Sequence, residues 1–122
     1  MTRINAGIPV EDLNYRHLLA EHREIKRIPN VVRKKGTVDL IRIPKEFMLG
    51  TGHVIFFYNK LGYLERRYKM LYNECKRRGF NITDYSGSFK NLPQHLMNDW
   101  KVPQEASDLV RERINERLGG KI

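Results

Sequence analysis

The stretch His53–Phe80, HVIFFYNKLGYLERRYKMLYNECKRRGF, decides the fold. Phe56, Phe57, Tyr58, Leu61, Leu64, Tyr68, Met70, Leu71 and Tyr72 recur at helical spacing and predict a helix with a core-facing stripe over His53–Arg78. Lys76, Arg77 and Arg78 suit its carbonyl end, and Gly79 predicts a left-handed cap. Gly62 inside the pattern costs ~1 kcal/mol against Ala, which predicts a bend or close packing there. Cys75 reads as buried and inert, and His53 reads as structural. Arg66, Arg67, Lys76, Arg77 and Arg78 either widen a phosphate-binding surface or solvate the helix.

Two further helices flank this one. The first is expected from Val10 to Ile28, with Pro29-Asn30 ending it because proline breaks the hydrogen-bond ladder. The third starts at Val102–Ser107, VPQEAS, and runs to Leu118, where Gly119-Gly120 stops it. Pro103 and Glu105 suit its first turn. Residues 31–52 and 81–102 join the helices as ordered loops, since Tyr85, Phe89, Leu92 and Trp100 need an apolar place to pack. The expected fold class is all-α. Residues 1–122 form one compact domain of three main helices with long irregular connecting loops and no second domain.

The charge balance is the strongest global signal. Lys and Arg number 23 against 14 Asp and Glu, a net charge of +9 and a pI near 9.9. A small basic domain of this kind points to a polyanionic partner, most often nucleic acid. One cysteine excludes an internal disulfide and fits a reducing compartment. No apolar run reaches the ~18 residues of a membrane span, so the reading is an intracellular soluble protein.

On the first helix the side chains sort by face. Tyr15, Leu18, Leu19, His22 and Ile25 cluster on one side and should meet the core. Arg16, Arg23 and Arg27 form a second stripe, and His17 with Glu24 a third beside it. Two readings stand side by side. One is a solvated face with local charge pairs. The other is a site in which guanidiniums bind phosphates and one carboxylate, kept ionised among them, steadies positive charge or moves protons. His17 and His22 lie on different faces, and Cys75 has no partner, which argues against a metal site. At the amino terminus, the small second residue favours removal of Met1. The exposed α-amine of Thr2, with a reference pKa of about 7.7–8.0, could attack a sugar carbon and form an imine.

The ordered set MTRIN (1–5), HLLAEHREIKR (17–27), MLGTGHVIFFYNKL (48–61), NECKRRGFNI (73–82), LPQ (92–94) and VPQEAS (102–107) resembles the phage endonuclease V family. The resemblance covers residues 1 to about 118. These are pyrimidine-dimer DNA glycosylases with abasic-site lyase activity. The resemblance implies that the α-amine of Thr2 is the nucleophile and Glu24, in Arg23-Glu24-Ile25, the catalytic carboxylate. It implies that Arg23 and Arg27 grip phosphates of a kinked duplex and that Arg3 and His17 lie near the site. Arg113 and Arg117 stand for the DNA-contacting arginines of the third helix, and the basic pair Arg33 and Lys34 extends the contact. One extra residue precedes the first helix, and the segment after Arg33-Lys34 is shorter than in the family. The sequence closes on Gly-Gly-Lys-Ile where the family continues into an aromatic, basic tail, which bears on dimer specificity more than on strand cleavage.

The resulting expectation is a DNA repair enzyme acting on pyrimidine dimers in duplex DNA, with no cofactor and no metal. It would work as a monomer on lesion-bearing double-stranded DNA in the cytoplasm of a bacterial or phage-infected cell, near the nucleoid, without a membrane. The rivals are a non-catalytic DNA-binding module of the same fold and a basic RNA- or ribosome-associated protein.

Overall fold

The computed structural model describes residues 2–117. Among them five α-helices follow in order: α1 Tyr15–Glu24, α2 Arg27–Lys35, α3 His53–Phe56, α4 Leu61–Arg77 and α5 Gln104–Arg117. Short 3-10 turns fill the joins. No named strand occurs among the described residues; Lys60 and Met97 form a lone bridge. The fold is all-α, but two of the three expected helices are each divided.

The first expected helix becomes a 3-10 turn at Val10–Asp12, then α1, then α2. Asn14 starts α1: its side chain accepts the His17 N–H at 2.9 Å, the work of an N-cap. Pro29 does not end a helix here. It sits in the first turn of α2, where a missing N–H is tolerated. Its ring forbids a continuous ladder across the preceding turn, so the break falls upstream, at Ile25–Lys26. Arg33, Lys34 and Lys35, expected in a loop, form the last turn of α2, where cations face the carbonyl end of the helix.

The second expected helix is α3, a 3-10 turn at Phe57–Asn59, and α4. Lys60 makes the joint, with its ammonium donating to the Phe56 carbonyl at 3.0 Å. Gly62 is closely packed as anticipated: a Cβ there would lie 2.7 Å from the Met97 carbonyl oxygen. Gly79 takes the left-handed conformation after α4, and the Phe80 N–H bonds back to the Cys75 carbonyl at 3.0 Å. α5 begins after Pro103, and the stop anticipated at Leu118 and Gly119-Gly120 lies outside the described residues.

α1 packs on α4. Leu18 and Ile25 from α1 and its end join Leu61, Leu64, Leu71 and Cys75 from α4 in one buried cluster. His22 stacks on Tyr68 with ring centroids 5.4 Å apart. Phe47 stacks on Trp100, and Phe56 meets the same indole edge-on at 5.0 Å. Tyr85, Phe89, Leu92 and Trp100 all reach this core, which is why their loops are ordered. Two expected core residues do not. Tyr15 is 53% exposed, its hydroxyl accepting from Arg16 Nε at 3.1 Å, and Met70 stands out of the stripe because its helical rotation carries it to the open side. No described helix is long and apolar enough to cross a membrane.

Candidate nucleic-acid cleft

Residues 2–8 have no helix or strand to satisfy their backbone, yet Thr2, Ile4, Asn5, Ala6 and Ile8 are buried. Distant side chains hold the segment instead. The Ile4 N–H donates to His53 Nε2 at 2.9 Å. The Asn5 amide donates to Glu21 Oε1 at 2.9 Å, and the Ile8 carbonyl accepts from Arg67 Nη1 at 2.7 Å. Arg67 also meets Glu21 through a fork, Nε to Oε2 at 2.8 Å and Nη2 to Oε1 at 3.0 Å. Burial alone would lower the pKa of Arg67, but Glu21 outweighs it and raises it.

This clamp lays the start of the chain across α1 and α5. Between them opens a cleft of about 270 Å³, lined by Arg3, Asn5, His17, Ala20, Glu21, Glu24, Arg113, Ile114 and Arg117. His17, Ala20, Glu21 and Glu24 are neighbours along one face of α1 by their spacing of three and four. Arg113 and Arg117 stand one turn apart on α5. Arg113 Nη2 donates to Asn5 Oδ1 at 3.1 Å and so joins α5 to the amino-terminal segment.

The electrostatics favour an anion in the cleft. Burial pushes Arg113 down to about 10, with repulsion from Arg3 and Arg117 adding to it. Burial and then Arg117 lower Arg3, partly offset by Glu24. His17 is pushed down by burial, then by Arg117, Arg113 and Arg3, and is neutral at pH 7. Guanidiniums crowded in this way repel one another until a phosphate comes between them. Glu24 is the carboxylate beside them. Its Oε2 lies 3.3 Å from Arg23 Nη2, and its side chain is 15% exposed against 57% for the arginine.

The cleft therefore gathers Arg3, His17, Glu24, Arg113 and Arg117 from the residues singled out in the sequence. Thr2 precedes Arg3, one residue along the chain from the lining, and is buried. Arg23 reaches the rim through Glu24. Arg27 is exposed on the first turn of α2 and does not line the cleft. Arg33 and Lys34 lie at the far end of α2. Arg33 is engaged there, donating to the carbonyls of Ser88 and Lys90 and holding their loop. Of the basic residues on α4, Arg67 is buried in the clamp rather than on a phosphate-binding surface. Arg77 and Arg78 hold Glu74 at about 2 through hydrogen bonds, and Arg78 also donates to the carbonyls of Val10 and Glu11.

Asn5 and Glu21 escaped the sequence reading. The signal for Glu21 was available: it shares the face of His17 and Glu24, yet a partner 46 residues away had to be known before its burial made sense. Among the described residues no three His, Cys, Asp or Glu side chains gather as a metal-binding group. A family model described as pyrimidine dimer DNA glycosylase matches residues 1–85 of the chain. The match takes in the amino-terminal segment, α1 and His53, and stops before α5 supplies the second wall of the cleft.

Proposed function

The chain belongs to the pyrimidine dimer DNA glycosylase family, and on that premise we propose that the α-amine of Thr2, freed by removal of Met1, is the nucleophile of a combined glycosylase and abasic-site lyase. The neutral amine attacks C1′ of the 5′ nucleotide of the dimer. A C–N bond forms as the glycosidic bond breaks, and its electron pair leaves with the pyrimidine, which takes up a proton. Loss of a proton from the nitrogen and opening of the sugar give an imine. Removal of a proton from C2′ then expels the 3′ phosphate by β-elimination and nicks the strand.

Glu24 is suited to two tasks in this sequence. As a carboxylate it stabilises the cationic sugar, and it carries protons between the amine, C2′ and solvent. Arg3, Arg113 and Arg117 bind phosphates from inside the cleft, while Arg23 and Arg27 extend the contact outside it and Lys34 lengthens it along α2. Arg33, partly occupied by the 88–90 loop, retains N–H groups for a phosphate at its edge. Neutral His17 donates or accepts a hydrogen bond without adding charge. The duplex has to bend for its sugar to reach a buried amine, and the arginines offset that cost.

The observation that supports the reading is that Glu24 lines one cleft with Arg3, the neighbour of Thr2, under two arginines of α5. The test is borohydride trapping of protein on duplex DNA carrying an abasic site, after intact-mass measurement has verified that Thr2 is the first residue. A covalent adduct that disappears on amino-terminal acetylation is expected. Absence of any adduct from fully processed protein would leave a DNA-binding module without catalysis.

A further inference from the structure

We propose that His53 is a positioning residue for the amino-terminal amine, acting through the backbone of Ile4. The inference rests on the Thr2 reading for its catalytic meaning, but the contact itself is independent of it.

Ile4 is fully buried, and its N–H has no helix or strand to bond within. A buried donor without an acceptor loses its bond to water with nothing in return, so the partner it finds matters. That partner is His53 Nε2 at 2.9 Å. The ring is aimed from several sides. Its Nδ1 lies 2.9 Å from the Met48 carbonyl oxygen and donates to it, which leaves Nε2 as the bare acceptor. Phe47 and Phe57 meet the imidazole edge-on, with centroids at 5.3 and 5.4 Å. The imidazole is mostly buried and burial holds it neutral, the only form that can accept this bond.

Ile4 is two residues from Thr2, and residue 3 already lines the cleft. Two trans peptide units span at most ~7 Å, so fixing the Ile4 nitrogen confines the amine to a small volume. Asn5 on Glu21 fixes the other side of the same peptide stretch. Such confinement keeps an attacking atom near its target, and loss of about an ångström can cost a large factor in rate.

The experiment compares His53→Phe and His53→Gln with wild type, each verified by mass to begin at Thr2. Phenylalanine keeps the aromatic packing and removes the acceptor. Glutamine offers a carbonyl oxygen at a similar reach. Three quantities are read: the single-turnover rate of borohydride-trappable adduct at saturating protein, affinity for the abasic duplex, and hydrogen exchange at the Ile4 amide. His53→Phe is expected to slow trapping about tenfold or more, equivalent to ~1.4 kcal/mol of barrier, with affinity near wild type and faster exchange at Ile4. His53→Gln is expected to recover most of the rate. Wild-type trapping by His53→Phe, or equal loss of rate and affinity in both variants, overturns the positioning role. If wild type itself forms no adduct, the Thr2 reading fails instead, and unchanged Ile4 exchange in His53→Phe would then overturn the clamp as well.

Discussion

The guanidinium of Arg67 grips the carboxylate of Glu21 through two bonds, 2.8 and 3.0 Å long, with both side chains almost wholly out of water. The same carboxylate takes the Asn5 amide, and the same guanidinium takes the Ile8 carbonyl. The pair is therefore a structural bolt under the cleft and not a part of the phosphate-binding surface.

Removing one partner strands the other. Arg67→Met is expected to lose about 3–5 kcal/mol of folding stability, as unpaired buried charges do. Arg67→Lys should recover only part of that, because an ammonium cannot reproduce the fork. Urea unfolding at pH 7 measures both; a loss below ~1 kcal/mol for Arg67→Met would remove the pair from the account.

Mild acid should weaken the fold through its buried histidines. Burial holds His53 at about 4, below its ordinary value of 6.5. As pH falls through that window the unfolded chain takes up a proton that the folded chain refuses, so stability declines from about pH 6.5 to about pH 4 and is undiminished above it. For His53 alone the fall is roughly 3 kcal/mol in total. His22 and His17, also lowered chiefly by burial, act in the same direction. Urea midpoints between pH 7 and pH 4 check this, and His53→Gln should flatten the slope.

Glu24→Gln separates chemistry from binding. The substitution keeps the side chain's size beside Arg23 and removes the charge. Glycosylase turnover on a dimer-containing duplex is expected to fall by about 10²–10⁴, while affinity for the same duplex holds. Unchanged turnover would take Glu24 out of the mechanism.

Arg113 offers an electrostatic measurement. Arg113→Gln is expected to weaken duplex binding similarly across sequences and to reduce the slope of log K against log salt by about one. A salt titration by fluorescence anisotropy reads it. An unchanged slope would mean that Arg113 serves only its bond to Asn5.

Much of this was legible in the chain itself. Stripes at helical spacing placed α1 and α4, Pro103 and Glu105 marked the start of α5, Gly79 marked the end of α4, and the close contact at Gly62 followed from a glycine inside a helix. Pro29 misled because proline disturbs the turn before it as well as its own position, so the break appears at Ile25–Lys26. In the cleft, His17 and Glu24 were legible from their shared stripe on the first helix, whereas Arg3, Arg113 and Arg117 were picked out by the family resemblance alone. Asn5 and the engagement of Arg67 were not. A buried ion pair looks like two ordinary charges until the fold brings them together.

The ties on residues 4, 8 and 5 come from His53, Arg67 and Arg113, which stand 49, 59 and 108 positions downstream. A ribosome adds roughly 5–20 residues per second, so the leading segment emerges seconds before its partners exist. For that interval the segment is a loose thread. Once α5 has been made and docked, Thr2 is 8% exposed and the thread is sewn in. The segment that shapes the cleft is thus secured late, although it is made long before its anchors.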